Sequence, residues 1–303
     1  MSDRREADRH ATGDAARVAC VGGGHGLAAT LRAVRPWATT ITAIVSVADD
    51  GGSSGRLRDD LGVLPPGDLR RCLSALAAPD SVLGGALEHR FGEGELKEHA
   101  LGNLLIAGLI THGVPVTDAL DEVGRLIGAV GRVLPAALVP MTLCGERVRG
   151  TPLEGQVEVQ QASDLSHVGV SPPDPPSPAA VGDAVLGADL VVLGPGSLFT
   201  SVLAATVVPD VADALAATRA IRVLVLNLGP QTGETEGLSP DEHVRVALAH
   251  GLPVDVVLAD PRFAPDPAAL RVPVVIRPVG AEDAAVHDPG RLGAALADLV
   301  GPP

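Results

Sequence analysis

Glycine is the residue type whose spacing carries chemistry in this chain. The run Gly22-Gly23-Gly24-His25-Gly26-Leu27 sets Gly24, Gly26 and Ala29 in a G-x-G-x-x-A pattern between a predicted strand and a predicted helix. Glycines at such a turn let the backbone approach a diphosphate, and the following helix aims its N–H groups and positive dipole end at the anion. A second turn, Gly194-Pro195-Gly196-Ser197, also follows an apolar strand, with Thr200 and Ser201 at the next helix start. That is a second place for an anion. Two such turns in one parallel sheet put a cleft at the carboxyl ends of the strands.

Acidic residues follow the first turn in ADDGGSSGRLRDDLG, residues 48–62. Asp49 closes the second strand, where folds of this kind place an acid against a ribose hydroxyl. Asp49 and Asp50 cannot both point into a core, because an unpaired buried charge is costly. Their carboxylates suit either a hard cation such as magnesium or the hydroxyls of a sugar. Gly51, Gly52, Ser53, Ser54 and Gly55 read as a flexible polar loop for phosphate or sugar contacts, and Arg56 and Arg58 add positive charge there. In PPGDLRRCL, residues 65–73, Asp68 either caps a helix or joins Asp49 and Asp50 at a cation site. His25 lies inside the glycine loop and can face a ligand, whereas His99, His112, His243 and His250 read as cap or surface residues. No zinc-protease, haem-attachment or nucleophile-elbow pattern is present.

These residues must be held by strands and helices that alternate. Arg17–Val21, Thr40–Ala48, Asp189–Leu193, Arg222–Leu228, Val254–Ala259 and Val272–Val279 read as buried strands. Helical patterns fall on Ala28–Val34, Leu69–Ala77, Leu101–Thr111 and Val116–Val130. The stretch at about 134–178 differs, with short strands in MTLCGERV and GQVEVQ and an extended connector, SPPDPPSP. The expected fold is α/β: a Rossmann-like, mostly parallel sheet with helices on both faces and a small β-rich insertion. Residues 1–16 read as a disordered arm, and residues 17–303 as a single domain.

Composition narrows the partners. With 23 basic and 37 acidic residues the net charge is −14, which disfavours nucleic acid and anionic membrane. Tyr is absent, and three Phe and one Trp supply no stacking platform for single strands. Lys97 is the sole lysine, which leaves no P-loop or Schiff-base pattern. Cys20, Cys72 and Cys144 form no C-x-x-C pair and read as core fillers of a reducing, cytoplasmic compartment. The charged first residues lack the apolar stretch of a secretion signal.

The segments GGGHGLAATL, ITAIVSVADDGGSSGRLRDDLGVLPPGDLRRCL, HALGNLLIAGL, GRVLP, ADLVVLGPGSLFTSV, NLGPQTGETEG and HDPGRL occur in one order. Together they resemble the gluconeogenesis factor family of the YvcK type, in its actinobacterial branch, related to 2-phospho-L-lactate transferases. The resemblance spans roughly residues 17–298 and implies a cytoplasmic UDP-sugar-binding regulator of cell shape and wall synthesis on gluconeogenic carbon. Its ligand would be UDP-N-acetylglucosamine or UDP-glucose, with no required cofactor. It further implies a homo-oligomer and a protein partner in amino-sugar or cell-wall metabolism. Gly22–Leu27 and Gly194–Ser201 would then hold the diphosphate region. Asp49–Arg56, Asp68 and Asn103 would line the same cleft, and Asn227 would sit near the nucleoside. The transferase relatives use a double-Asp turn and a later Asp, here Asp49, Asp50 and Asp68, with magnesium. Val256 and Val286 stand where many relatives carry an aromatic and an arginine.

Overall fold

The computed structural model describes residues 16–282 and 284–300; the expected arm, Ala16 apart, lies outside the described residues. Ten strands are present among the described residues: β1 (Arg17–Gly22), β2 (Thr40–Val45), β3 (Arg132–Pro135), β4 (Thr142–Arg147), β5 (Leu153–Glu154), β6 (Leu165–Ser171), β7 (Leu190–Leu193), β8 (Ile221–Val225), β9 (Val256–Ala259) and β10 (Val274–Ile276). Seven of them form one sheet in the order β10-β9-β8-β7-β1-β2-β3, every pairing parallel. In β1 and β2 every residue after the first is buried, so neither face of the sheet centre meets water. That is why these strands read as unbroken β-branched runs rather than as alternating ones. Chain order runs outward from β1 in both directions, so β1 and β7 flank the switch point of a doubly wound sheet.

Helix Gly24–Val34 leaves β1 and packs against helices Gly67–Leu76 and Pro289–Val300. The second crossing is close: a Cβ on Gly293 would stand 2.4 Å from the Ala33 carbonyl oxygen. Helix Leu101–Thr111 has the bounds expected of it, and helix Val116–Ile127 ends at a left-handed Gly128. Cys20 and Cys72 are buried core residues, as expected, while Cys144 is half-buried on β4. No single helix among the described residues is long and apolar enough to cross a membrane.

The insertion is a three-stranded antiparallel sheet, β5-β4-β6, and here two expectations fail. GQVEVQ is not a strand: Gln156–Gln161 is a helix. The alternation of Val157 and Val159 mimics a strand, yet only Val159 is buried. Asp50 accepts the backbone N–H groups of Gln156 (2.8 Å) and Val157 (3.1 Å), so a residue 106 positions upstream caps this helix. The second failure concerns Gly51–Gly55, which is no flexible loop. Helix Gly52–Leu61 begins there, with Ser53, Ser54, Gly55 and Leu57 buried. Tertiary contact overrides the poor helix propensity of serine and glycine. A Cβ on Gly55 would lie 2.0 Å from the Asp50 carbonyl oxygen, and Leu57 packs with Val63 and Ala107. Strands β3, β5 and β6 carry no clear strand signal in the sequence, because they are short or have mixed burial.

Candidate functional site

The loops after β1, β2 and β7 meet at the carboxyl ends of their strands. The first and last of them touch. A Cβ on Gly26 would stand 2.1 Å from the Pro195 carbonyl oxygen, and the Thr30 hydroxyl donates to the Gly194 carbonyl at 2.8 Å. Gly26→Ala is therefore expected to force the two turns apart and cost about 1–3 kcal/mol, as overpacking does. A melting temperature unchanged from wild type would show that the loops are not in contact.

Between the loops lies a cleft of about 800 Å³. Gly23, Gly24, His25, Gly26, Asp49, Gly51, Gly52, Ser53, Ser54, Asp68, Gly196, Ser197, Thr200 and Ser201 line it. A neighbouring lobe of about 380 Å³ shares His25, Gly26, Gly196 and Gln231 with it and adds Pro195, Asn227, Val286 and His287. The remaining expected residues stand behind these walls. Leu27 is wholly buried core, and Gly22 and Gly194 form the strand ends, where the Gly194 N–H donates to the Val21 carbonyl. Arg56 is exposed and donates to the Lys97 carbonyl. Asn103 is buried and donates to the Ser53 hydroxyl at 3.0 Å, holding a cleft residue rather than facing the cleft itself.

Three helices start on this cleft, at Gly24, Gly52 and Gly67. Their first-turn N–H groups lack intrahelical partners and carry the positive end of each dipole. Gly67 can pack on the second helix because it has no side chain; a Cβ there would meet the Ser54 hydroxyl at 2.2 Å. The fourth helical start, after β7, is different from what the sequence suggests. Its Thr200 N–H donates to the Glu234 carboxylate at 3.1 Å, and the Gly196 N–H donates to the Asn227 side chain at 3.1 Å. This turn presents hydroxyls to the cleft, not free amides. Asn227 also donates to the Gly196 carbonyl (2.9 Å) and to Gln231 (2.9 Å), which pins the turn from below.

The acidic triplet does not assemble. Asp50 spends both carboxylate oxygens on the insertion helix. Asp68 is not a helix cap: it accepts the Gly24 N–H at 2.6 Å and pairs with Arg71, sitting where an anion would sit at the first helix start. Asp49 accepts the Gly51 N–H at 3.0 Å, and burial, only partly offset by that bond, raises its carboxyl above the ordinary value. Among the described residues no group of three or more His, Cys, Asp or Glu side chains is arranged to hold a metal ion. The donor set therefore does not fit a three-carboxylate magnesium site, because its middle member faces the insertion.

Arg71 is the principal wall residue not singled out from sequence. It stands three residues after Asp68 on the same helix, a spacing that brings two side chains together. That signal was present in PPGDLRRCL. Its charge, followed by burial, lowers the His25 imidazole below its ordinary value, so His25 meets the cleft neutral near pH 7. Ser46, Gly67, Arg90, Glu98, Gln156, Val157, Gln160 and Gln231 complete the lining. Arg90 and Glu98 come from an irregular segment with no motif, and the glutamines at 156 and 160 from the helix read as a strand. His99, expected as a cap or surface residue, places Nδ1 3.0 Å from the Ser53 hydroxyl.

A doubly wound sheet with helix starts converging on one cleft at its switch point defines a Rossmann-like α/β protein. The family model described as 2-phospho-L-lactate transferase CofD matches residues 18–272. A gluconeogenesis-factor relative from Mycobacterium tuberculosis is 42% identical over 304 residues, covering 92% of this chain and 89% of that one. The "Gluconeogenesis factor" of Halalkalibacterium halodurans is 39% identical, over 77% of this chain and 73% of its own. The crystal structure of a UPF0052 family member from Bacillus halodurans superposes with a TM-score of 0.89 at 32% identity, covering 94% of this chain and 99% of that one. The chain belongs to the gluconeogenesis factor family, which is related to CofD.

Proposed function

We propose that this protein is a cytoplasmic regulator whose cleft binds a UDP-sugar, UDP-N-acetylglucosamine or UDP-glucose. In this reading it links gluconeogenic carbon metabolism to cell-wall synthesis and cell shape. The observation that carries it is the convergence of three helix starts and Arg71 on one polar cleft. Such a cleft suits a diphosphate held by amides and one guanidinium, in a protein whose net charge is −14. The adjoining lobe, with Asn227 and Leu228 on its wall, is of a size and mixed polarity that suits a nucleoside. A protein partner in amino-sugar or cell-wall metabolism would read the bound state, and self-association belongs to the same proposal.

Binding without turnover is the expected behaviour. Transfer of a phosphoryl or nucleotidyl group needs a group that activates the acceptor and, with carboxylates, a cation to neutralise the phosphate. Asp50 is committed to the insertion helix, which argues against the transferase alternative. Titration calorimetry with UDP-N-acetylglucosamine should give saturable binding, and the sugar nucleotide should be recovered intact after long incubation with magnesium or manganese. Absence of binding to either UDP-sugar at millimolar concentration sinks the reading. Magnesium-dependent release of UDP or UMP, lost in Asp68→Asn, would put the transferase in its place.

A further inference from the structure

The segment Asn227–Gly237 does more than carry Asn227. It inserts Glu234 under the helical turn Leu198–Leu203, where the side chain is 2% exposed. One carboxylate oxygen accepts the Thr200 N–H at 3.1 Å, and the other is buried with no partner. Thr200 and Ser197, the residues over this carboxyl, line the cleft. The segment cannot retreat easily, because the Glu234 N–H donates to the Gln160 carbonyl and a Cβ on Gly233 would stand 2.1 Å from that same oxygen. A carboxyl thus occupies the fourth helix start from behind, while the ligand would approach it from the front.

We infer that Glu234 takes up a proton when an anionic ligand seats in the cleft, so that ligand binding is linked to pH through this one side chain. The inference rests on the reading of the cleft as a phosphate-ligand site. A second negative charge beside a buried carboxylate disfavours its ionised form. Among the described residues no cation forms an ion pair with it. The charged or titratable groups they carry are Glu158 on the insertion helix, Arg17 and Cys20 on β1, and His25 in the first loop. Helix Pro240–Ala249 adds Asp241, Glu242, His243 and Arg245, and its own segment adds Glu236. None of them makes a hydrogen bond to Glu234 among the described residues. Burial sets its protonation and pushes the carboxyl up to about 7, with the neighbouring Ser197 and Thr200 hydroxyls and the Thr200 and Leu198 amides pulling the other way. His25 and His99 are both held below the ordinary imidazole value and are neutral above pH 7.

The sign follows from linkage. Below about pH 7 Glu234 already holds its proton in the free protein, and affinity is level there. As pH rises, the free protein loses that proton and the bound form keeps it, so binding weakens. The diphosphate of a UDP-sugar is fully ionised throughout and contributes no slope. For UDP-N-acetylglucosamine, Kd should rise about fivefold or more between pH 6.5 and pH 9. Calorimetry at pH 7.5 in two buffers of different ionisation heat should register net proton uptake. In Glu234→Gln, whose amide oxygen can still accept the Thr200 N–H, Kd should be level and proton uptake absent. Binding with a level Kd and no proton uptake in the wild type overturns the linkage and leaves the cleft reading intact, whether or not the variant folds. A slope retained in a folded Glu234→Gln overturns it too. No binding at any pH removes both.

Discussion

Arg71→Ala should weaken UDP-N-acetylglucosamine binding by about ten- to a hundredfold, the loss of a charged hydrogen bond worth about 1.5–3 kcal/mol. Arg71 is a guanidinium of the cleft wall on one of the helices that start there, and among the described residues it pairs with Asp68. Asp68 in turn holds the Gly24 N–H. A diphosphate entering the cleft competes with Asp68 for both donors, so Arg71 exchanges a carboxylate for a phosphate. Removing it leaves Asp68 on the amide with its charge unpaired, which repels the ligand as well as failing to hold it. Gly24→Val should abolish binding outright. The position has φ of +66°, and the space in front of it holds nothing nearer than the Ser201 hydroxyl at 3.9 Å. A valine there fills the path of the phosphate. The comparison is read from melting curves: ligand at a hundredfold excess over Kd stabilises the wild type by about 2.7 kcal/mol. Full ligand stabilisation in Arg71→Ala and Gly24→Val, with both folded, would move the binding site away from this cleft.

The second large effect is on folding and falls at Asp260. This carboxylate is 3% exposed and accepts the backbone N–H groups of Arg262 (3.0 Å), Val279 (3.0 Å) and Gly280 (2.8 Å), besides the Arg262 guanidinium. It ties the end of β9 to the segment that carries His287 into the second lobe. Asp260→Ala orphans two buried amides, each costing about 1–3 kcal/mol, so a loss of about 2–6 kcal/mol is expected. The pH dependence has a definite sign. Burial alone would raise this carboxyl, but the bonds from the Arg262 side chain and from the Arg262 and Gly280 amides outweigh it and hold it well below the ordinary carboxylate range. Its contribution is therefore present above the unfolded value of about 4 and is lost as pH falls below it. Denaturant midpoints of wild type and Asp260→Ala should converge in acid. A stability difference under about 0.5 kcal/mol at pH 7, the size of an ordinary surface change, would deny the role.

Local chemistry determined much of this protein by itself. A buried parallel strand must be apolar throughout, so β1, β2 and β7 were legible, and so were the glycine turns that leave β1 and β7. Those turns could only be glycine: Gly24 and Gly194 have φ of +66° and +77°, and Gly26 touches the opposite backbone. Strand, turn and helix in that order were enough to locate a cleft at the switch point. What sequence could not supply was the partner of each polar group, because partners are set by residues far away in the chain. Ser53 and Ser54 look like loop residues until Asn103 and His99 are packed beside them. Gln156–Gln161 looks like a strand until Asp50 caps it from 106 positions away. Asp50 looks like a third metal ligand until that same capping turns it aside. The turn after β7 looks like an open anion seat until Glu234, contributed by a later strand's loop, is found occupying it. Backbone conformation is dictated by neighbours and sterics, whereas satisfaction of a buried charge or amide is settled only when the whole sheet has closed around it.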